Sequence, residues 1–247
     1  MADRNQAALL NDIVHVNGAK VAYTSAGSRG TPVVLVHGGA SDRTDWTETI
    51  PILAASHRVF APDLIGFGES SRLDINYTMR DFSDFLSGFM DAVGIESAFM
   101  VGHSLGGRAC LELAREAPER VSKMLLVAPL GFGRLSLPGF VLSTAAWALF
   151  KAIRRPLPYP SLDIELQEND LAGFQRVNAP ALILWGHRDL YFSPKCGRRA
   201  AEAIPNSRLR LFGRSGHSPH RSEPAAFNEA ALEFFLPVQS ARNQARN

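Results

Sequence analysis

Four short apolar runs without polar alternation constrain the fold of this sequence more than any other feature. The runs occupy residues 33–36, 99–101, 124–127 and 181–185. Strands that are apolar on both faces are typical of a parallel sheet covered by helices on both sides. Between the runs lie segments with helical spacing of apolar residues, at 78–93, 105–117, 194–204 and 223–235. The pattern predicts an α/β fold with a mostly parallel sheet and helices on both faces.

Two segments depart from this alternation. Residues 13–16 and 20–24 flank Asn17 and Gly18, the strongest short signal for a β-hairpin, so an antiparallel hairpin is expected at one end of the sheet. Residues 130–175 contain four prolines and an apolar helical stretch before the strand pattern resumes. We expect them to form an insertion in a core made of residues 1–129 and 176–247.

Composition excludes several classes of protein. The 247 residues are 46% hydrophobic and carry a net charge of +2, which is too small to indicate a nucleic-acid or anionic-membrane partner. Cys110 and Cys196 lie far apart and form no disulfide framework or zinc motif. The first 11 residues lack the layout of a secretory signal, and the uncharged stretch 135–150 is short for a bilayer span. We therefore expect a cytoplasmic protein without stable membrane insertion; the oligomeric state is not indicated.

The segment Gly102-His103-Ser104-Leu105-Gly106 matches the pattern GxSxG. It directly follows a predicted strand and opens a predicted helix, which is the context of a nucleophile elbow. Glycines flank the serine because the turn is too tight for larger side chains. Ser104 is therefore the candidate nucleophile, at the carboxyl edge of the sheet.

A serine nucleophile requires a base, and the base requires an acid that fixes its tautomer. Asp189 and His217 each follow a predicted strand, and the chain order Ser, Asp, His is the one expected for this architecture. Two alternatives stay open at this point. Asp189 is also placed to cap the helix that begins near Ser193 and Pro194, and His220 competes with His217 as the base.

Attack of a serine on a carbonyl group forms a tetrahedral intermediate, and two backbone N–H donors are expected to bind its oxyanion. One is expected from Leu105, directly after the nucleophile, and the other from the loop that follows residues 33–36. That loop reads His37-Gly38-Gly39-Ala40, and we favour Gly39 over Ala40 as the second donor.

With these motifs the sequence resembles the α/β-hydrolase superfamily from about residue 14 to residue 235. The further shared motifs are residues 37–39 with Trp46 downstream, residues 61–70, residues 118–121, and Gly216 and His217 followed by Glu223, Pro224 and Phe227. The resemblance implies an eight-stranded, mostly parallel sheet, with residues 130–175 as a short, mainly helical lid inserted after strand 6. In this superfamily the acid sometimes follows that strand, but residues 128–132 hold no carboxylate, which favours Asp189.

The resemblance implies a serine hydrolase that acts on a small or medium carboxylic ester through an acyl-enzyme and needs no cofactor. The residues expected to line the substrate pocket are Ala40, Phe132, Trp147 and Leu190. No histidines show HExxH or i, i+4 spacing, so no metal site is predicted. Carbon–carbon bond hydrolysis of meta-cleavage products is the main alternative, although the elbow has His103 and Leu105 where those enzymes usually have Asn and Met. Lactonase or haloperoxidase activity, and a ligand-binding protein on a hydrolase scaffold, also stay open.

Overall fold

A computed structural model describes residues 8–152 and 171–236, with the backbone alone at 146, 147 and 149–152. The described residues form an eight-stranded sheet in the order β1-β2-β4-β3-β5-β6-β7-β8. The strands are β1 Leu10–Val16, β2 Ala19–Ala26, β3 Pro32–Val36, β4 Arg58–Pro62, β5 Ala98–His103, β6 Val121–Val127, β7 Ala181–Gly186 and β8 Ser207–Phe212. The predicted α/β sheet is confirmed.

Strand directions follow the sequence pattern. All pairs from β4 through β8 are parallel, whereas β1 pairs antiparallel with β2, and β2 with β4. Asn17 and Gly18 have φ of 49° and 82°, as a tight two-residue hairpin turn requires. The predicted hairpin therefore forms at the edge of the sheet.

Helices cover both faces, which the sequence also predicts. The helices of the described residues are α1 Ile50–Ala54, α2 Met79–Ala92, α3 Leu105–Glu116, α4 Leu137–Ala152, α5 Leu171–Phe174, α6 Pro194–Ala203, α7 Pro219–Ser222 and α8 Pro224–Phe235. Buried side chains of α2, α3 and α6 pack in one core, and those of α1 and α8 pack in another. Strand β3 serves both cores, because Val34 and Val36 face the first, and Val33 and Leu35 the second.

The segment between β6 and β7 begins with the 16-residue helix α4 and ends with the short helix α5. Residues 153–170 of the predicted lid lie outside the described residues, so the lid and its boundaries stay predictions. Within the part of the chain that the structure describes, no helix is both long and apolar enough to cross a bilayer.

Candidate active site

Ser104 occupies a strained turn between β5 and α3. Its φ of 49° and ψ of −110° lie outside the regions that L residues favour, at a cost of about 1–3 kcal/mol. The turn is held in place because the Ser104 amide donates to the Val127 carbonyl (2.8 Å) and the Ser104 carbonyl accepts from Leu130 (3.1 Å). Strain at a residue that surrounding bonds fix is typical of functional sites.

The glycines around Ser104 permit close packing of backbone. A Cβ atom at Gly102 would lie 2.6 Å from the Gly106 carbonyl oxygen. A Cβ atom at Gly106 would collide with the carbonyl oxygens of Val36 and His37. Both positions therefore need glycine, as the elbow pattern predicts.

The structure brings Ser104, His217 and Asp189 together in a hydrogen-bonded chain. His217 Nε2 lies 3.0 Å from Ser104 Oγ, and His217 Nδ1 lies 2.8 Å from Asp189 Oδ2. Because an ionised carboxylate only accepts, His217 Nδ1 carries the hydrogen and Nε2 is free to accept the serine proton. The Asp189 side chain is fully buried, while His217 is partly exposed toward the cleft. This arrangement can activate a serine nucleophile.

Asp189 is oriented by its own loop. Its Oδ1 atom accepts the main-chain amides of Tyr191 (2.8 Å) and Phe192 (3.0 Å), which leaves Oδ2 to His217. The N-cap of α6 is Ser193, whose hydroxyl accepts from the Lys195 amide, so Asp189 does not occupy that position. His220, the alternative base, is fully buried with its Nε2 atom 3.3 Å from an Asp45 carboxylate oxygen.

The two predicted oxyanion donors lie on the wall of the same cleft. Leu105 is the first residue of α3, so its amide has no acceptor within the helix, and Gly39 lines the cleft beside it. Ala40 also lines the cleft and has a φ of 57°, a conformation that residues with a Cβ atom rarely adopt. Gly39 and Leu105 as oxyanion donors therefore stay a prediction.

His37 fixes the loop that carries Gly39. Its Nδ1 donates to the Gly38 carbonyl (2.8 Å), and its Nε2 accepts the Leu64 amide (2.9 Å). Burial lowers the pKa of His37, which keeps the ring in the neutral form that these two bonds require. The histidine of the His-Gly-Gly motif is therefore a structural part of the site.

The cleft in front of Ser104 has a volume of about 460 Å³. The described residues that line it are Gly39, Ala40, Ser41, Asp45, His103, Ser104, Leu105, Leu130, Leu135, Ser143, Tyr191, Phe192, His217, Ser218 and Arg221. Apolar walls with a few polar groups are typical of small-molecule sites.

Of the four expected pocket residues, the structure places one at the cleft. Ala40 lines it, whereas Phe132 is buried in the core with its ring 5.4 Å from that of Phe174. Leu190 is 56% exposed and offers its carbonyl to the Ser136 hydroxyl. Neither Phe132 nor Leu190 is among the described cleft residues, and the side chain of Trp147 lies outside the described part of the chain.

A second polar cluster, formed by Asp45, His103 and His220, lies beside the triad, and the motif analysis does not predict it. The Nδ1 atom of His103 is 3.5 Å from Asp45 Oδ2, and its Nε2 atom is 3.1 Å from the His217 carbonyl oxygen. Burial lowers the pKa of His103 to about 4, so its ring is neutral at pH 7. Burial alone would raise the pKa of Asp45, but interactions with His103 and His220 hold it below its ordinary value.

The only sequence signal for this cluster is that its members come from the same three loops as the predicted site. Asp45 follows Gly39, His103 precedes Ser104, and His220 follows His217 by three residues. Because those loops meet at the carboxyl edge of the sheet, their neighbouring polar residues meet there as well.

Comparison with known proteins decides the family. A model of the alpha/beta hydrolase fold matches residues 31–155, about half of the chain. The chain belongs to the α/β-hydrolase fold family.

The relatives of this α/β hydrolase include proteins named as a transferase component and as a hydrolase. A dihydrolipoyllysine-residue acetyltransferase component of the acetoin cleaving system of Cupriavidus necator is 38% identical over 53% of the chain. The chain spans 35% of the length of that protein and 65% of its counterpart from Pseudomonas putida. A 2-hydroxy-6-oxo-6-phenylhexa-2,4-dienoate hydrolase of Burkholderia cepacia is 26% identical, with 93% of each chain covered.

Among solved structures, a carboxylesterase from Bacillus subtilis superposes with a TM-score of 0.79. It is 20% identical, and the match covers 92% of this chain and 91% of that one. At that identity the likeness shows the fold alone.

Proposed function

We propose that this α/β hydrolase cleaves a small or medium carboxylic ester with Ser104 as the nucleophile. One observation carries the proposal: Ser104 Oγ, His217 and Asp189 form a continuous chain of 3.0 and 2.8 Å contacts that ends in an open cleft. Serine, base and acid in this geometry are the requirements for acyl transfer through a covalent intermediate.

The chemistry follows from the positions of these groups. His217 Nε2 takes the proton of Ser104 as Oγ attacks the ester carbonyl carbon, and Asp189 stabilises the resulting imidazolium. The negative charge of the tetrahedral intermediate develops on the carbonyl oxygen, where the amides of Gly39 and Leu105 donate to it. His217 then returns the proton to the leaving alkoxide, and the alcohol departs. Water attacks the acyl-enzyme by the same route and releases the carboxylic acid, so the cycle needs no cofactor.

The cleft supports the size range of the substrate. A volume of about 460 Å³ holds a short acyl group and its alcohol, and Leu130, Leu135 and Phe192 give it apolar surface. Ser104 and His217 line the same cleft. A medium-length acyl chain can therefore lie against apolar side chains while its carbonyl meets Ser104.

A fluorophosphonate probe tests the nucleophile directly, because it phosphonylates an activated serine. We expect one adduct, located on Ser104 by peptide mass spectrometry. Ser104→Ala removes the labelling and nearly all turnover of p-nitrophenyl acetate, whereas Ser41→Ala, at another serine of the same cleft, retains both. Labelling elsewhere, or wild-type turnover by Ser104→Ala, would contradict the proposal.

A carbon–carbon bond hydrolase is the second candidate, and the Burkholderia relative favours it because that enzyme is matched along nearly its full length. The same triad would serve such a reaction. Assays of a 2-hydroxy-6-oxo-dienoate beside p-nitrophenyl esters of increasing acyl length separate the two activities. A kcat/KM for the dienoate above that for every ester would replace the ester proposal.

A further inference from the structure

The cluster of Asp45, His103 and His220 has buried polar atoms without hydrogen-bond partners. Both carboxylate oxygens of Asp45, Nδ1 of His103 and both ring nitrogens of His220 make no hydrogen bond within the described residues. The side chains of Asp45 and His220 are 1% and 0% exposed, so water does not reach them freely. Buried polar atoms in a folded protein are normally paired, and unpaired ones indicate a missing ion or water.

The hydrogen bonds of His103 determine which of its nitrogens is free. Nε2 lies 3.1 Å from the carbonyl oxygen of His217, which can only accept, so Nε2 carries the hydrogen. In a neutral ring Nδ1 then bears a lone pair. That nitrogen lies 3.5 Å from Asp45 Oδ2 and has no hydrogen-bond partner among the described residues. A cation between the two atoms would contact both the lone pair of Nδ1 and the carboxylate oxygen.

The distances in the cluster fit a small divalent ion. Asp45 Oδ2 lies 3.5 Å from His103 Nδ1 and 3.3 Å from His220 Nε2. Zinc bonds of about 2.0–2.1 Å in tetrahedral geometry place neighbouring ligand atoms about 3.3–3.5 Å apart. One ligand atom from each of the three residues lies within 4.8 Å of the others. A modest approach of the His103 and His220 nitrogens toward each other would complete the site.

The surroundings of the ligands match those of known metal centres. A metal-binding histidine usually donates its second ring N–H to a carboxylate or backbone carbonyl, and His103 donates to the His217 carbonyl. The ring of His220 is held at 4.5 Å from that of Trp46. Both contacts fix the imidazoles before any ion arrives.

We propose that Asp45, His103 and His220 form a binding site for one divalent transition-metal ion, with Zn²⁺ as the preferred ion. The site lies behind the loop that carries His217. Two imidazoles and one carboxylate suit Zn²⁺ and its analogue Co²⁺ better than Mg²⁺ or Ca²⁺, which prefer oxygen ligands. Asp45 and His103 also line the cleft, so the cleft gives an ion a route to the site.

The spacing rules that predict no metal site apply to ligands on one helix. Here the ligands come from the turn at Arg43–Trp46, the end of β5 and helix α7, so no sequence motif joins them. None of its three ligands belongs to the proposed triad, although His103 also holds the main-chain carbonyl of His217.

The test uses untagged full-length protein. A chelator first removes bound metal, and dialysis then removes the chelator. Titration with Co²⁺ is expected to give the intense visible absorption of a tetrahedral complex at one equivalent, and Zn²⁺ is expected to abolish that band. Calorimetry with Zn²⁺ gives the affinity. Neither measurement depends on the catalytic activity, so failure of the ester proposal would leave the result interpretable.

Near-isosteric variants locate the ion. Asp45→Asn and His220→Gln should each weaken Zn²⁺ binding by at least about tenfold, since loss of outer-shell partners alone costs that much. Arg221→Gln is the matched control. Its guanidinium lies 3.4 Å from Asp45 and competes with the ion, so the variant should bind Zn²⁺ at least as tightly as the wild type.

Circular dichroism first establishes that each variant is folded. If the wild type gives neither a tetrahedral Co²⁺ band nor a binding heat with Zn²⁺, the proposal is overturned. It is also overturned if folded Asp45→Asn and His220→Gln both bind Zn²⁺ as tightly as the wild type, because the ion then lies elsewhere.

Discussion

His103 donates a hydrogen bond from Nε2 to the main-chain carbonyl of His217, across 3.1 Å. The residue directly before the proposed nucleophile therefore holds the residue that carries the proposed base. The two are 114 positions apart in the chain, and this bond fixes the distance between strand β5 and the loop after β8. The alignment of His217 with Ser104 depends on a contact that does not touch the substrate.

Replacement of His103 by alanine should lower kcat far more than it changes KM. Without the donor the His217 loop shifts relative to Ser104, and a displacement of about 1 Å can cost roughly 10²-fold in rate. His103→Gln, whose amide can donate to the same carbonyl, should retain more of the rate. Steady-state kinetics with p-nitrophenyl acetate measure both variants. An unchanged kcat with a raised KM would mean that His103 contacts the substrate instead.

Asp189→Asn should lower kcat by about 10⁴-fold while the fold is kept. The Oδ1 side of Asp189 accepts two main-chain amides, so the asparagine oxygen must occupy that side and its NH₂ group must face His217. His217 Nδ1 then has to accept, and its hydrogen moves to Nε2, which can no longer take the Ser104 proton. Circular dichroism and the melting temperature provide the control for folding. A loss below tenfold would argue against Asp189 as the acid of the triad.

Gly106→Ala should destabilise the protein by about 3 kcal/mol or more, because the new methyl group collides with two rigid carbonyl oxygens. Gly213→Ala is the control, since a Cβ atom there meets nothing within 4 Å. Chemical denaturation of both variants gives the difference in the free energy of unfolding. Equal stability of the two variants would contradict the packing described for the elbow.

The protein should lose stability as the pH falls below about 6.5. Burial lowers the pKa of His37 from its ordinary value of 6.5, so between the two values the unfolded chain binds a proton that the folded chain does not. The stabilisation is complete above pH 6.5 and decreases as the unfolded state becomes protonated. Melting temperatures between pH 8 and pH 5 measure the effect. His15→Gln, at an exposed histidine, should keep the wild-type dependence, and His37→Gln should reduce it.

Much of the fold could be predicted because its signals are local. The apolar runs identify the central strands, Asn17 and Gly18 identify the hairpin, and the glycines of the elbow reflect contacts within one turn. Ser104, Asp189 and His217 could be put forward as site candidates because each lies shortly after a strand, and the three parallel strands end at the same edge of the sheet.

Contacts between distant segments explain what the sequence did not reveal. Phe132 follows β6 closely enough to suggest a pocket position, but Gly131, with φ of 103°, precedes it, and its ring packs against Phe174 in the core. Asp45 and His220 come within 3.3 Å only because two loops converge. Neither the residue types nor their spacing along the chain predicts such a tertiary contact.

Strands β6 and β7 are hydrogen-bonded neighbours, although more than fifty residues separate the end of one from the start of the other. The chain thus departs from the sheet and returns to it at adjacent positions. Because β6 and β7 pair with each other directly, a change of length well inside that segment leaves both strands where they are. That segment can therefore differ in length without disturbing the sheet, while the part of the cleft wall that Leu135 and Ser143 form changes with it.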